Sequence, residues 1–268
     1  MRRTLLGAAL LLALASPSGR AQTPRDPVEI DVGGLFGDEL FVQGAHHPLL
    51  ITLRNRTAQP LRGALNVSVR SWREGGQRHR LPIDLPARAE RRVRLPVHAG
   101  DGGEVRVSLV GAGGTLGRTT YGLYGGSTEL IVLLADPPRL RGPLLDLGEV
   151  ESTDRWGSIR RVQPSVGVVP MDPTTGDPLA PRAGQAWDGV RLVVAQAPLL
   201  ERLGEVERRA LEDYLVAGGR LLVFPRSEAD LEGPFVRSLF GALRAETLPR
   251  RVGPPMYVPA AVADRRYV

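Results

Sequence analysis

Three polar side chains in the second half of the sequence stand where ligand chemistry is expected. Asp136, Gln196 and Ser227 each come at or shortly after the carboxyl end of an apolar run that predicts a buried strand. Ligands of open parallel sheets bind outside those ends, so these three residues are candidate ligand-binding groups. Pro137 and Pro138 stiffen the loop after Asp136, and we favour a capping role for its carboxylate over a catalytic one. No histidine follows Ser227 to accept its proton, which argues against a serine hydrolase.

Three acidic residues lie close together between the first two of these strands. Glu149, Glu151 and Asp154 predict an acidic loop near the same edge of the sheet. Such carboxylates could hold a divalent cation or an arginine-bearing partner, and a solvated loop is the interpretation that we favour. Residues 170–186 are rich in Pro, Gly, Asp and Thr, and they predict a long surface loop of the kind that often carries binding.

The four histidines do not suggest a metal site. His46 and His47 are adjacent, so on a strand their rings point to opposite faces of the sheet. His79 and His98 lie on separate segments, without carboxylates at ligand spacing around them. We therefore expect neither a metal nor a cofactor, and we expect no catalytic residue among the histidines.

The sequence also lacks two common catalytic side chains. It contains no cysteine and no lysine, so all 35 basic residues are arginines. This composition removes a thiol nucleophile, a P-loop lysine and a Schiff-base lysine from consideration. The chain is therefore expected to be a binding protein rather than an enzyme, although an enzyme built on other groups stays open.

Residues 1–21 predict a cleaved export signal. Arg2 and Arg3 supply the positive start, residues 5–15 form an apolar run, and cleavage is expected after Ala21. The run is shorter than the ~20 residues that a bilayer span requires, so no transmembrane span is expected in the mature chain. We expect a periplasmic or cell-envelope location and an envelope or membrane protein as partner.

The net charge of the mature chain argues against nucleic acid as a partner. Without residues 1–21, the chain has 32 arginines against 29 acids and a net charge of +3. The arginines are scattered along the sequence instead of forming a basic patch. Nucleic-acid binding is therefore not expected.

Residues 22–126 predict an all-β domain. Six short runs alternate between apolar and polar residues, and turn-forming residues separate them. These runs are residues 28–32, 49–53, 64–69, 91–97, 104–109 and 119–124. Such spacing favours a β-sandwich. The strand 47–55, which runs into Asn55, and the following segment 59–63 resemble bacterial immunoglobulin-like modules of envelope proteins. Asn55 and Asn66 also match the glycosylation acceptor pattern.

Residues 127–248 predict an α/β domain with a parallel sheet. A helix over residues 203–217 stops at two glycines before another apolar strand. Its apolar face is predicted to contain Val206, Ala210, Leu211, Tyr214 and Leu215. Residues 211–223 resemble the helix-Gly-Gly-strand segment of the class I glutamine amidotransferase-like superfamily, and residues 187–194 resemble the segment leading into its third strand.

This resemblance implies a flavodoxin-type open parallel sheet over about 115 residues, and it argues against glutamine hydrolysis. Active members carry a cysteine on a sharp turn after a core strand, with a histidine later in the chain. The corresponding stretch here is residues 195–198, and no histidine follows His98. Residues 249–268 predict a Pro-rich tail.

Together these observations predict an exported, non-enzymatic binding or assembly protein of the bacterial cell envelope. Two alternatives stay open at this point. One is a hydrolase of envelope carbohydrate or peptide that uses Asp136 and the acidic loop, and the other is a small-ligand sensor that uses the carboxyl edge of the α/β sheet.

Overall fold

The computed structural model describes residues 26–38, 40–71, 76–98, 100, 102–124, 129–136, 141–146, 148–153 and 158–240. The chain divides into two compact units, Met1–Gly126 and Ser127–Val268. The predicted export signal, the predicted Pro-rich tail and Asp154 lie outside the described residues. Over the described part the chain is mostly β-sheet, and the second unit contains a four-stranded parallel sheet.

The described residues of the first unit form seven strands in two antiparallel sheets. The strands are β1 (Val28–Gly34), β2 (His46–Asn55), β3 (Leu61–Ser71), β4 (Gln77–Leu85), β5 (Glu90–His98), β6 (Gly103–Gly111) and β7 (Gly114–Leu123). One sheet has the order β1-β2-β5 and the other the order β4-β3-β6-β7. Hairpin connections between sequential strands explain the antiparallel pairing of β3 with β4 and of β6 with β7.

Alternating apolar residues of both sheets bury a single core. On β2, Leu49, Ile51 and Leu53 are fully buried, and Leu65 and Val67 on β3 belong to the same cluster from the other sheet. Because successive side chains of a strand point to opposite faces, this period of two places one face of each sheet in the core. Burying each of these side chains contributes about 1.5–3 kcal/mol, so the core sets the register of both sheets.

Strand β4 was not among the six predicted strands. Its sequence interrupts the apolar alternation with Arg78, Arg80 and Pro82, and only Ile83 and Leu85 are fully buried. The strand lies at the edge of its sheet, where a proline costs no ladder hydrogen bond and charged side chains reach water. Edge position therefore explains both the sequence and the missed prediction.

The second unit combines a parallel sheet with short helices and a separate hairpin. Its strands are β8 (Leu130–Leu134), β9 (Val150–Thr153), β10 (Ile159–Val162), β11 (Ser165–Val168), β12 (Val190–Gln196) and β13 (Leu221–Phe224). Its helices are α1 (Arg141–Leu145), α2 (Ala197–Glu201), α3 (Glu205–Val216) and α4 (Pro234–Phe240), with 3-10 turns at Gly184–Trp187 and Glu228–Glu232. The parallel sheet has the order β11-β8-β12-β13, which confirms the predicted parallel pairing.

Helix α3 buries most of the predicted apolar face, but Glu207 takes the place of Val206 in its first turn. Glu207, Ala210, Leu211 and Tyr214 are buried, whereas Val206 is 44% exposed. The buried positions follow the three- and four-residue spacing of a helix face, and Ala210, Leu211 and Tyr214 are residues that the sequence predicted there. The aliphatic part of a glutamate can be buried when its carboxylate is paired, and Arg182 Nε lies 3.5 Å from a carboxylate oxygen of Glu207.

The two glycines after α3 have distinct roles. Gly218 has a φ of +95°, which a residue with a side chain rarely adopts, and it ends the helix as the sequence predicts. At Gly219 a side chain would overlap the ring of Tyr214. The hydroxyl of Tyr214 reaches past that glycine, accepting from the backbone nitrogen of Arg220 at 3.0 Å and donating to its carbonyl oxygen at 3.2 Å.

Candidate functional site: the carboxyl edge of the parallel sheet

The parallel sheet changes its direction of growth between β8 and β12. The chain adds β11 on one side of β8 and then β12 and β13 on the other, so the two directions part at the carboxyl ends of β8 and β12. Open α/β sheets bind their ligands at such a point. Asp136 follows β8 and Gln196 ends β12, so two of the predicted residues lie at this point.

Hydrogen bonds join three strand ends at this edge. The Oε1 atom of Gln196 accepts from the backbone N–H of Asp136 at 3.3 Å and from Nη2 of Arg226 at 2.9 Å. The same Nη2 donates to the carbonyl oxygen of Asp136 at 2.7 Å. We call Asp136, Gln196 and Arg226 the rim. Because Gln196 is 9% exposed, its amide is held in place by its neighbours rather than presented to solvent.

Arg226 was missed by the sequence analysis, which selected the adjacent Ser227. Its guanidinium carries the positive charge of the rim, and both its side chain and that of Asp136 are exposed. The carboxylate of Asp230 accepts from the backbone nitrogens of Arg226 at 2.7 Å and of Ser227 at 3.0 Å. Ser227 therefore begins the 3-10 turn Glu228–Glu232, and the turn fixes the backbone from which Arg226 extends. An arginine two residues after the apolar run 221–224 was the available sequence signal.

The turn between β12 and α2 is sharp but unstrained. Strand β12 ends at Gln196 and the helix begins at Ala197, with Pro198 in its first turn. Gln196 has φ −74° and ψ 129°, an ordinary extended conformation. Nucleophiles that enzymes mount on a strand-to-helix turn stand in a strained conformation that exposes the reactive atom. Here the turn carries a hydrogen-bonded amide instead.

The acidic residues are arranged differently from the prediction. Glu151 lies on strand β9, which pairs with β10 in an antiparallel hairpin, and it is directly opposite Arg161. Glu149 immediately precedes β9 and is exposed. The described part of the acidic loop is therefore the start of a hairpin, where an arginine across the ladder suits Glu151 without a cation. The structure does not bring Glu149 or Glu151 into contact with the rim.

Residues 170–186 form an ordered excursion rather than a plain surface loop. A bridge joins Met171 to Pro178, and the carboxylate of Asp172 accepts from the backbone nitrogen of Thr174 at 2.8 Å. Arg202 donates to the carboxylate of Asp177 at 3.0 Å. Pro178, Ala180, Pro181 and Ala186 are buried, because this segment covers part of the unit's interior.

His47 is a deeply buried titratable group of the first unit. His47 is 3% exposed, and its Nε2 atom has no hydrogen-bond partner in the part of the chain that the structure describes. Burial lowers the pKa of His47 to about 4, and the negative charge of Asp38 opposes that shift. The ring packs edge-on against Phe41 at 5.9 Å between ring centroids. His47 is therefore a neutral core residue at ordinary pH.

Two kinds of site are not found among the described residues. They contain no group of three or more His, Cys, Asp or Glu side chains placed to hold a metal ion. None of their helices is both long and apolar enough to cross a membrane.

Comparisons with known proteins leave the family open. No family model and no curated protein matches the chain. A solved structure of the alkylpurine DNA glycosylase AlkC from Pseudomonas fluorescens, bound to DNA containing an abasic site analog, is 18% identical over 38% of this chain and 31% of that chain, with a TM-score of 0.28. A β-glucosidase from Listeria innocua in complex with glucose is 12% identical over 38% of this chain and 16% of that chain, with a TM-score of 0.27.

In a third comparison, the match covers a larger share of the other chain. The superoxide reductase (neelaredoxin) from Ignicoccus hospitalis is 9% identical over 37% of this chain and 78% of that chain, with a TM-score of 0.28. By contrast, the matches to this chain span less than a third of AlkC and less than a fifth of the β-glucosidase. At these TM-scores the similarities carry no argument about the fold or the activity of this chain.

Proposed function

We propose that this chain is an exported, non-enzymatic binding or assembly protein of the bacterial cell envelope. In this proposal the first unit is an immunoglobulin-like sandwich, and the second is a flavodoxin-type, amidotransferase-like domain that binds a partner through the rim. The export pattern of residues 1–21 and the resemblances in the sequence support the location and the fold types.

The proposal depends chiefly on the backbone conformation and the hydrogen bonds of Gln196. The turn after β12 is where the amidotransferase resemblance places a cysteine, and here it carries an amide in a relaxed backbone conformation. The amide oxygen already accepts two hydrogen bonds, from Asp136 and Arg226. A group used in this way supports a fixed surface, whereas nucleophilic catalysis requires an activated group next to a base.

The exposed parts of the rim suit recognition of a polar partner. The carboxylate of Asp136 and the guanidinium of Arg226 are both exposed, and Gln196 and the 3-10 turn hold the backbone beneath them. A positive and a negative group at fixed positions give orientation and specificity to an interface. Residues held by hydrogen bonds before binding also lose less conformational freedom when the partner arrives.

A substrate screen tests the non-enzymatic part of the proposal. Purified protein would be incubated with peptide and glycan substrates of the envelope, with and without divalent metal, beside the Asp136→Ala and Ser227→Ala variants. The proposal predicts no turnover that depends on either residue. Turnover that is lost in Asp136→Ala or Ser227→Ala, with the fold intact by circular dichroism, would establish the hydrolase alternative instead.

A small-ligand sensor is the second candidate, and the exposed pair of Asp136 and Arg226 favours it. A free ligand that carries both charges, such as an amino acid or a peptide terminus, would match this pair. A site filled at a hundred times its dissociation constant adds about 2.7 kcal/mol to the free energy of unfolding. Thermal-shift screening of such ligands against wild type and Arg226→Ala distinguishes a sensor from an assembly protein, because only a sensor gives a shift that Arg226→Ala abolishes.

The location is tested separately. Intact-mass measurement of the protein from its host envelope fraction is expected to place the amino terminus at Gln22. A chain that retains residues 1–21 would contradict cleavage.

A further inference from the structure

The fold places two histidines side by side that are far apart in the sequence. His46 on β2 and His98 on β5 are direct partners in the antiparallel ladder. Their ring centroids are 5.3 Å apart, and the ring planes are inclined by 58°. The sequence did not predict this proximity, because the pairing of β2 with β5 joins strands that are not consecutive in the chain.

The backbone around His98 identifies the type of pair. The N–H of His98 donates to Oε1 of Gln77 at 3.0 Å, and Gln77 belongs to β4 rather than to β2. In an antiparallel ladder, residues whose amide groups point away from each other form the non-hydrogen-bonded pair, in which the side chains are closer. His46 and His98 therefore occupy the kind of position where two side chains on neighbouring strands can converge on one atom.

The pair lies on the outer face of its sheet. Side chains alternate between faces along a strand, and His47, next to His46, is buried in the core. Val97, next to His98, is also fully buried, so both imidazoles face away from the core. Both histidines are half-buried, so water can reach the space beside the two rings.

The ring separation matches that of two imidazoles on one metal ion. A ring nitrogen binds Zn²⁺ at about 2.0–2.1 Å, which puts each ring centroid about 3.2 Å from the ion. With an angle between about 90° and 110° at the metal, two such centroids lie about 4.5–5.2 Å apart. The observed 5.3 Å is close to this range.

We propose that His46 and His98 form a two-histidine site for a divalent transition-metal ion. The two imidazole nitrogens are the protein ligands, and water fills the remaining coordination positions. Cu²⁺ binds most tightly to such nitrogen ligands in a tetragonal geometry, and Zn²⁺ binds with lower affinity in a tetrahedral geometry. This site belongs to the first unit and does not depend on the function proposed for the rim.

The test titrates Cu²⁺ into the mature chain without an affinity tag and follows binding by calorimetry. The comparison uses His46→Asn, His98→Asn and, as a matched control, His79→Asn, which removes a histidine from β4 outside the pair. Removing either ligand is expected to lower the affinity about tenfold or more, at least as much as the loss of an outer-sphere partner. His79→Asn is expected to bind Cu²⁺ like wild type. Equal affinity of wild type, His46→Asn and His98→Asn would overturn the proposal.

A second measurement avoids substitutions and so any effect of a variant on folding. Zn²⁺ added to wild type is expected to shift the NMR signals of the His46 and His98 rings together and with the same saturation. Shifts confined to His79, or different saturation at His46 and His98, would overturn the paired site.

Discussion

Nη2 of Arg226 donates to Oε1 of Gln196 at 2.9 Å and thereby ties the segment after β13 to the end of β12. The two residues are 30 positions apart in the chain. The same oxygen accepts from the backbone of Asp136, so one buried amide connects three strand ends at the point where the sheet changes direction. This amide is the structural centre of the rim, and its loss has a measurable consequence.

Gln196→Ala is expected to lower the free energy of unfolding by about 1–3 kcal/mol, because it removes the acceptor of the partly buried backbone N–H of Asp136 and one of the two acceptors of Nη2 of Arg226. Urea unfolding measures the change. Arg209→Ala is the matched control, since Arg209 is exposed on α3 and should leave the stability unchanged within about 0.5 kcal/mol. Equal urea midpoints for Gln196→Ala and wild type would mean that the rim is not held by this amide.

Gly219→Ala is expected to destabilise the second unit by about 1–3 kcal/mol, because the added methyl group would overlap the ring of Tyr214. The control is Gly142→Ala, since a methyl group added there meets no atom within 4 Å. Thermal unfolding of both variants gives the comparison. If both variants melt at the same temperature as wild type, the described close contact between the Tyr214 ring and Gly219 would be contradicted.

Because the pKa of His47 is lowered, we expect the free energy of unfolding to fall in mild acid. Its folded-state pKa of about 4 lies below the ordinary value of 6.5, so as the pH falls the unfolded chain takes up the proton first. The stability associated with neutral His47 is present above pH 6.5 and is lost between pH 6.5 and about 4. At 1.36 kcal/mol per pKa unit the full loss is roughly 3 kcal/mol.

The variant His47→Leu isolates this contribution, because the other titrating groups are common to both proteins. Urea unfolding of wild type and variant at about pH 7.5 and about pH 4 is expected to show a smaller acid loss in the variant, by up to roughly 3 kcal/mol. His79→Asn is the comparison variant. Burial also lowers the pKa of His79, but this side chain is less buried than His47, so its replacement should reduce the acid loss of stability by less. The same acid loss in His47→Leu and wild type would contradict the assignment.

Asn55 links the turn after β2 to the turn after β4. Its Nδ2 donates to the carbonyl oxygens of Gln59 at 2.7 Å and Pro86 at 2.8 Å, and its Oδ1 accepts from the backbone of Thr57 at 2.9 Å. Asn55→Ala is expected to cost about 2–4 kcal/mol, measured by urea unfolding. The control Gln59→Ala should cost little, because only the backbone of that exposed residue is used.

The burial of Asn55 also bears on its glycosylation pattern. With 4% exposure and its amide nitrogen donating to two turns, Asn55 is expected to carry no glycan. A glycan found there by peptide mass spectrometry of the folded protein would contradict the described turn.

Local patterns predicted the elements, and contacts between distant segments explain the misses. The alternation in β2 and the apolar run of β8 are local patterns that burial of a strand imposes on its own residues. The positions of these strands could therefore be predicted. The charged edge strand β4 and the hairpin that contains Glu151 lack such a pattern, and they were missed. Asp136 and Gln196 were found because strand ends of a parallel sheet meet by rule. No such rule predicts the hydrogen bonds of the long Arg226 side chain to Asp136 and Gln196.

Site-specific photo-crosslinking in the native host tests whether the rim is the surface that binds a partner. The chain has no lysine, so amine-reactive crosslinkers cannot label its side chains. A photoreactive residue would instead replace Glu228, next to the rim, or Arg209 on α3 as the control, and the crosslinked products of the envelope fraction would be identified by mass spectrometry.

We expect one envelope protein to be crosslinked from position 228 but not from position 209, and we expect this crosslink to be lost when Arg226→Ala is added. Crosslinks that are the same from both positions, or that survive Arg226→Ala unchanged, would contradict the claim that the rim is the binding surface of an assembly protein.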